Sequence, residues 1–525
     1  MELKTWKELL KRAEALRRPW ENIFEEAFDY ALPNRARFRQ ATQPGASVKG
    51  DRHTDNIFDQ TAVVGVQEFA SRLQYNMLPP FARWARLVPG KSVPETDREE
   101  LQAELDVITE KVFAALGQSS FDQEVTESFF DLAASQGQLL MERGRSGEAI
   151  ECRAVSLSQV FVINAADGKP SALFYVEVLS AEQIMNRYAD DMPADKLDEL
   201  RRGEKDKQIR MVDAFRRVEG SYRNPKWERD RFCLDPDFKI GETKKYQGEG
   251  SSPWVLFRWN VAAGEEYGRG PLLSVLPTVR VVNLLMEFIL DNAEWSVAGA
   301  YQADDDGVIN PDTVVLEPRV IIPRSPGSKI ERIDAAGDIG VGLELVSHLQ
   351  DAIKKGLYNE RLGKREGTPP SATEVQERML ELARDIGSAF GRLQAELARP
   401  VIMRALYLLD DAGEIRMPKV DGQVIDIEIQ SPLSQAQRME DVQNFMRFGE
   451  MVTAIYGPQA SLVVLDQTEG PAYLAERLMV PMKLVRSKEE AAELLNKMME
   501  AAQAQAQGPA VGPAQAAPAP SLNQM

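Results

Sequence analysis

The sequence predicts a helix-rich, mixed α+β protein, and three observations carry that expectation. Apolar residues recur at three-to-four spacing over long stretches at the start, middle and end of the chain. Between residues 148 and 260 the pattern changes to short β-branched and aromatic runs bounded by Gly and Pro. A strand-like insert, 298–340, separates two helical segments.

Taken in order, residues 3–32 read as helix, with Trp6, Leu9, Leu10, Ala13 and Leu16 on one face and Pro19 and Pro33 as punctuation. Residues 56–78 read as a second helix, stopped by Pro79-Pro80. Residues 96–140 predict two more helices, divided around Gly117. The runs "AIECRAVSL", "QVFVI", "ALFYVEVL" and "PWVLFRW" then predict short antiparallel strands over 148–180 and 207–260, with a helical interruption at 181–203.

Helical periodicity returns at Gly270-Pro271, a proline placed where the first helical turn needs no N–H. Pro277 is expected to kink the first turns or delay the true start. Over 271–297, Val275, Val279, Val282, Met286 and Ile289 form an apolar stripe, and Arg280, Asn283, Glu287, Asp291 and Glu294 form a polar one. That polar stripe has two readings, a surface facing a solvent channel or a contact with another subunit. The three polar groups Arg280, Asn283 and Glu287 argue against a membrane span.

The insert 298–340, rich in Pro, Gly, Asp, Val and Ile, predicts short strands and turns. A partner helix is expected over 341–362, with Val346, Leu349, Ile353 and Leu357 on its apolar side. Next comes a loop, 363–371, carrying Lys364 and Arg365 between Gly363 and Gly367. Ser371 and Glu374 make a capping box for a long helix, 372–409, which would extend about 57 Å if continuous, with a bend at Pro400. A return strand at 423–429 closes this 372–430 segment, and helices are expected within 431–507, one with a Ser487/Glu490 capping box. The Ala/Gln/Pro-rich end, 508–525, is expected to be disordered.

Composition narrows the function classes. The 525-residue chain carries a formal net charge of −18, which opposes gripping DNA phosphates over a broad face. It does not oppose a conduit past which DNA slides. Two cysteines far apart, Cys152 and Cys233, make no disulfide framework, and the first twenty residues have no apolar core of a secretory signal. The two histidines, His53 and His348, have no metal-ligand spacing. "GKS" at 90–92 lacks the upstream glycine of a phosphate loop, and "DDDG" at 304–307 lacks the closing Glu of a calcium loop. No cofactor, metal site or catalytic constellation is expected, so assembly is favoured over catalysis.

The stretch "NIFDQTAVVGVQEFASRLQYNMLPPFARWARL", 56–87, resembles the portal, or head-to-tail connector, proteins of short-tailed (podovirus-type) bacteriophages. The matching residues are Asp59, Thr61, Ala62, Leu73, Pro79, Pro80 and Trp84; Gln60 and Ala85 depart from the usual pattern. Further similar stretches, "WENIFEEAFDYALPNR", "YGRGPLLSVLPTVRVVN", "SATEVQERM" and "PMKLVRSKEEAAELL", follow in the family's order to about residue 495. The resemblance implies a portal fold: a wing (1–270 with 372–430), a stem helix pair (271–297 and 341–362), a clip (298–340), a tunnel loop (363–371) and a crown (431–507). It also implies a ring of about twelve copies at one capsid vertex of the virion, assembled in the infected cell's cytoplasm, through which double-stranded DNA enters and leaves. Implied partners are the terminase packaging motor, tail adaptors, and the major capsid and scaffold proteins, with no catalytic step and no membrane. Lys364 and Arg365 would then form a basic collar in an acidic channel. A different virion assembly protein, a scaffold or adaptor without a channel, is the alternative reading. A packaging enzyme is a third, and the missing phosphate loop speaks against it.

Overall fold

The structure is a computed structural model. It describes residues 2–45, 54–144, 148–218, 225–303, 330–333, 339–359 and 386–457, apart from single residues at 81, 299, 417, 419, 421, 423 and 431, and a few positions between 464 and 474. The loop with Lys364 and Arg365, the two expected capping boxes, His53, the 304–307 turn and the 508–525 end lie outside the described residues. The chain divides into two compact units. The larger comprises 1–371 with 384–432, the smaller 372–383 with 433–525.

In the larger unit the first expected helix is two. α1 (Leu3–Arg17) passes through a 3-10 turn at Arg18–Trp20 into α2 (Glu21–Ala31). Pro19 interrupts the α hydrogen bonding, and the chain leaves the helix before Pro33. α3 (Thr61–Met77) starts later than expected and ends before Pro79-Pro80. α4 (Glu95–Gln118) and α5 (Phe121–Ala134) divide close to Gly117.

The expected helix to residue 140 is corrected there. Residues Gln136–Arg143 are a strand, β2, after β1 at Ala85–Pro89. β2 is the middle strand of a three-stranded antiparallel sheet with β3 (Ile150–Ala154) and β9 (Trp254–Arg258) on its flanks. Burial on both faces leaves "QGQLLM" without the alternation that marks a strand. A Cβ on Gly137 would sit 2.3 Å from the Phe257 ring, so only glycine permits this pairing.

β4 (Val160–Asn164), β5 (Pro170–Ser180), β6 (Gln208–Val218), β7 (Lys226–Leu234) and β8 (Asp237–Gln247) form an antiparallel meander in chain order. Its residues alternate as a two-sided sheet requires. Phe161, Ile163, Phe174 and Val176 bury against Trp6, Leu10 and Ala13 of α1. Their neighbours Val160, Val162, Leu173 and Tyr175 bury on the other face with Leu140 and Trp254 of the three-stranded sheet. α6 (Ala181–Tyr188) and α7 (Ala194–Arg202) make the expected interruption and cover the end of the meander with Ile184 and Leu200. A capping box, Ser180 with Gln183, starts α6.

Two helices and a small β pair follow. α8 (Pro271–Ala298) and α9 (Ile339–Gly356) flank β10 (Ala300–Ala303) and β11 (Ile330–Ile333), which pair antiparallel. α10 (Gly387–Leu393) runs through a π-helical turn, Gln394–Ala398, into α11 (Arg399–Asp411). The expected bend at Pro400 takes this form. The proline removes the bond that residue 396 would accept, and the turn before it widens. The widened turn carries Glu396, which accepts from Arg258 Nη2 at 2.7 Å and from the Arg258 backbone N–H at 3.0 Å. β12 (Ile425–Ile429) pairs antiparallel with β1.

In the smaller unit, α12 (Pro432–Tyr456) ends at Gly457, whose φ of +86° is left-handed. Its Phe445 ring lies 5.9 Å from that of Tyr473.

Candidate functional site

Of the residues singled out by sequence, the polar stripe and Asp59 meet at the helix pair α8 and α9. α8 begins where Gly270 passes so close to α5 that a Cβ would lie 2.0 Å from the Ala133 carbonyl oxygen. Pro271 opens the helix and Pro277 sits inside it without ending it. The helix therefore starts at Pro271, with no delay to Pro277.

Two glycines of α9 set the spacing of the pair. A Cβ on Gly356 would fall 2.2 Å from Val275 Cγ1, and one on Gly342 would fall 3.2 Å from Ile289 Cδ1. The two contacts lie equally far apart along each helix, so the pair runs antiparallel and stays close over roughly 21 Å. Small residues at both points let the backbones approach.

At 100° per residue α8 shows three faces. Val275, Val279 and Val282 are buried, and Met286 and Ile289 half-buried, on the expected apolar face. The expected polar stripe lies beside it. Arg280 is exposed and pairs with Glu26 of α2 at 3.3 Å; Glu287 is half-buried; Asp291 and Glu294 are exposed. Asn283 is its buried edge, at 6% exposure. The third face was missed by sequence reasoning: Val281, Leu284 and Phe288 are 45%, 47% and 56% exposed. Val341 and Leu345 of α9 are likewise exposed. The available signal was an apolar surplus, since a helix burying one stripe does not need Val281, Leu284 and Phe288 as well.

Residues 271–294 are long and apolar enough to cross a bilayer by length and composition alone. Asn283 and Arg280 nonetheless hold this helix to protein groups. Asn283 Oδ1 accepts from the backbone N–H of Phe58 at 2.8 Å and of Asp59 at 3.3 Å, and its Nδ2 donates to the Asn56 carbonyl at 2.9 Å.

The same clamp explains part of the 59–84 motif. Asp59 Oδ1 accepts from Thr61 N–H at 3.0 Å, which unwinds 57–60 and starts α3 at Thr61. Gln350 of α9 donates to Asp59 Oδ2 at 2.5 Å. Asp59 thus ties the start of α3 to both long helices, through Asn283 and Gln350. Ala62, in the first turn of α3, is fully buried. Pro79 and Pro80 are half-buried and terminate α3. Trp84 packs against Phe113 and Phe121, with ring centroids at 5.2 and 6.3 Å, and its carbonyl accepts from Gln430 N–H after β12.

The end of α9 is the second correction. The expected helix to residue 362 stops at Gly356. Tyr358 adopts φ +59°, a left-handed conformation rare for an aromatic residue. Its N–H donates to Lys355 O, and the Asn359 N–H donates to Lys354 O, which together close the helix C-terminus. Tertiary contacts hold this geometry. The Tyr358 ring meets Trp259 at 5.5 Å, its carbonyl accepts from Arg72 Nη1 at 3.1 Å, and the buried Asn359 amide donates to Gly65 O at 2.5 Å. Residue 359 is therefore a fixed anchor immediately ahead of the segment that carries Lys364 and Arg365.

His348 is exposed on α9. Cys152 and Cys233 are buried free thiols, each pushed up to about 12 by burial. Among the described residues no group of three or more His, Cys, Asp or Glu side chains is placed to hold a metal ion.

A curated relative, described as "Probable portal protein" of Bordetella phage BPP-1, is 23% identical over 468 residues, covering 84% of this chain and 81% of its own. Among solved structures, a chain from the virion of a native gene transfer agent particle is 13% identical with a TM-score of 0.40, covering 83% of this chain and 97% of its own. A chain from the neck of the native particle, computed with C12 symmetry, is 13% identical with a TM-score of 0.37, covering 75% and 88%. The family model described as "Bacteriophage head to tail connecting protein" matches residues 3–485. That match spans the clamp, the long helix pair and the sheets alike, and the chain belongs to the bacteriophage head-to-tail connecting protein family.

Proposed function

We propose that this protein is the portal of a bacteriophage virion, a ring of about twelve copies at one capsid vertex through which double-stranded DNA is packaged and later ejected. In this reading α8 and α9 are the stem, 298–340 the clip, 1–270 with 372–430 the wing, and 431–507 the crown. The terminase motor and then tail adaptors dock on the ring, the capsid and scaffold proteins surround it, and the protein itself performs no catalysis.

One observation supports the reading above others: a close antiparallel helix pair with an apolar face left open at Val281, Leu284 and Phe288, in a chain of the head-to-tail connecting family. A second copy is the occupant that suits it. A closed ring gives every copy the same neighbour on each side and leaves no such face open. The polar stripe Glu287, Asp291 and Glu294 lies beside that apolar face on the helix, where it would line the channel with repulsion for phosphate. Electron micrographs of the purified protein test the proposal. Rings with a central hole are expected; compact particles without a hole reject it.

Lys364 and Arg365 follow the anchored residue 359 within the expected tunnel loop. Repeated once per copy, they would place a basic collar in an acidic bore and touch passing phosphate transiently. Reversing both charges (Lys364→Glu, Arg365→Glu) is expected to shorten the packaged genome or reduce its retention. Unchanged genome length and retention would remove that role.

A further inference from the structure

A cleft of about 370 Å³ opens in the larger unit between β2, β3, β8 and α11. Arg404 of α11 lines it and is only 4% exposed. Its Nε donates to Met141 O at 3.0 Å, and its Nη1 donates to Gly250 O at 3.2 Å and Ser251 O at 2.9 Å. These bonds are built into the fold. Gly250 takes φ +70°, and a Cβ there would lie 2.2 Å from Met403 O, so the loop presses directly on the helix at this cation.

Carbonyl dipoles satisfy two of the guanidinium nitrogens, but among the described residues no carboxylate pairs with it. A cation removed from water keeps a large desolvation cost unless an anion faces it. Burial accordingly pushes the Arg404 guanidinium down to about 10. The carboxylates nearby are committed elsewhere. Glu142 accepts from Arg229 at 2.6 Å and from Arg231 at 3.4 Å, and Asp411 faces Arg143 at 3.6 Å. On the same lining, Lys244 makes no ion pair among the described residues, and the hydroxyls of Tyr246 and Tyr407 make no hydrogen bond among them. Among the described residues, exposed Glu151 is the one lining carboxylate left without an ion pair. Two cations without an ion pair among the described residues, beside two hydroxyl donors, stand out in a chain of net charge −18.

We propose that this cleft binds a ligand bearing an oxyanion, a phosphate or a carboxylate, with Arg404 and Lys244 as its counter-charges and Tyr246 and Tyr407 as hydrogen-bond donors. With Nε and Nη1 spent on carbonyls, the remaining Nη2 of Arg404 can donate to either oxyanion, and the cleft has the size of a small-ligand site. Phosphate would come from a free or phosphorylated small molecule. Carboxylate would come from a small organic acid.

The test titrates the purified full chain with inorganic phosphate and, separately, with succinate. Ionic strength is held constant with sodium chloride, and binding is read by calorimetry and by melting temperature. Saturable binding of at least one anion is expected, and the preferred anion identifies the source. Lys244→Met, an exposed change with no other bond to lose, is expected to weaken binding at least tenfold while leaving the ligand-free melting temperature unchanged. Glu151→Gln is expected to tighten binding severalfold. Absence of saturable binding by both anions overturns the proposal, and so does equal affinity in Lys244→Met.

Discussion

Asn283 shows why one residue in a polar stripe can differ from its neighbours. Arg280, Asp291 and Glu294 on the same stripe reach solvent, whereas the Asn283 carboxamide is spent on three backbone groups of residues 56–59. Asn283→Ala strands those groups in a partly buried site. It is expected to cost about 2–3 kcal/mol. Urea unfolding at fixed protein concentration checks this, and a loss below about 0.5 kcal/mol, the size of an ordinary surface change, would deny the clamp its role. Asp131 offers a pH test. Burial pushes its carboxyl up to about 6, against the opposing pull of Arg35 and the Leu157 N–H. Because the folded value lies above the unfolded one, its contribution is full below about pH 4 and is lost as pH rises through about 6. That rise corresponds to roughly 3 kcal/mol. Melting curves from pH 4 to 7 should show that decline, and Asp131→Asn should flatten it; identical slopes would refute the assignment. Asp213 has the opposite sign. Burial favours its neutral form, but Arg229 and Arg231 override this and hold it at about 2. Its contribution is present above about pH 4 and lost as pH falls towards 2, outside the Asp131 window.

Among the elements, the helix pair depends on what two glycines leave out. An alanine normally improves a helix over glycine by about 1 kcal/mol. At Gly356 the added methyl would meet Val275 Cγ1 at 2.2 Å, so the sign reverses. Gly356→Ala is expected to destabilise by about 1–3 kcal/mol. Val275→Ala in the same chain should recover part of that loss, because it removes the atom in the way. A double-mutant cycle by denaturant unfolding measures the coupling, and strictly additive effects would contradict the close approach. The π turn before Pro400 is a second element-level device. It absorbs the missing hydrogen bond and in the same turn presents Glu396 to Arg258.

For the assembled molecule, the exposed face of α8 carries the proposal. Leu284→Glu with Phe288→Glu leaves the buried face of the helix untouched, since both side chains are about half exposed in the single chain. The double variant is therefore expected to fold, with an unchanged circular dichroism spectrum, and to lose assembly. Light scattering coupled to size exclusion should report a single-chain mass where the unaltered protein reports a ring. A ring of unaltered mass in the variant would assign the contact between copies to another surface.

What could be read from sequence follows from periodicity and from proline. The alternating runs of β4 to β8, the buried stripe Val275, Val279 and Val282, and the stops at Pro19 and Pro79 depend on neighbours within a turn or a strand, so local spacing reveals them. The resemblance at 56–87 likewise placed the chain in the family that residues 3–485 match. Tertiary structure alone decided β2, because a strand buried on both faces has no alternation to betray it. It also decided the halt of α9 at Gly356, where Trp259 and Arg72, distant in sequence, hold Tyr358 in a conformation its own side chain disfavours and Gly65 holds the next residue, Asn359. Finally it divided one polar stripe into a buried amide and exposed charges. Burial is a property of what packs against a face, and no spacing within a single helix can state it.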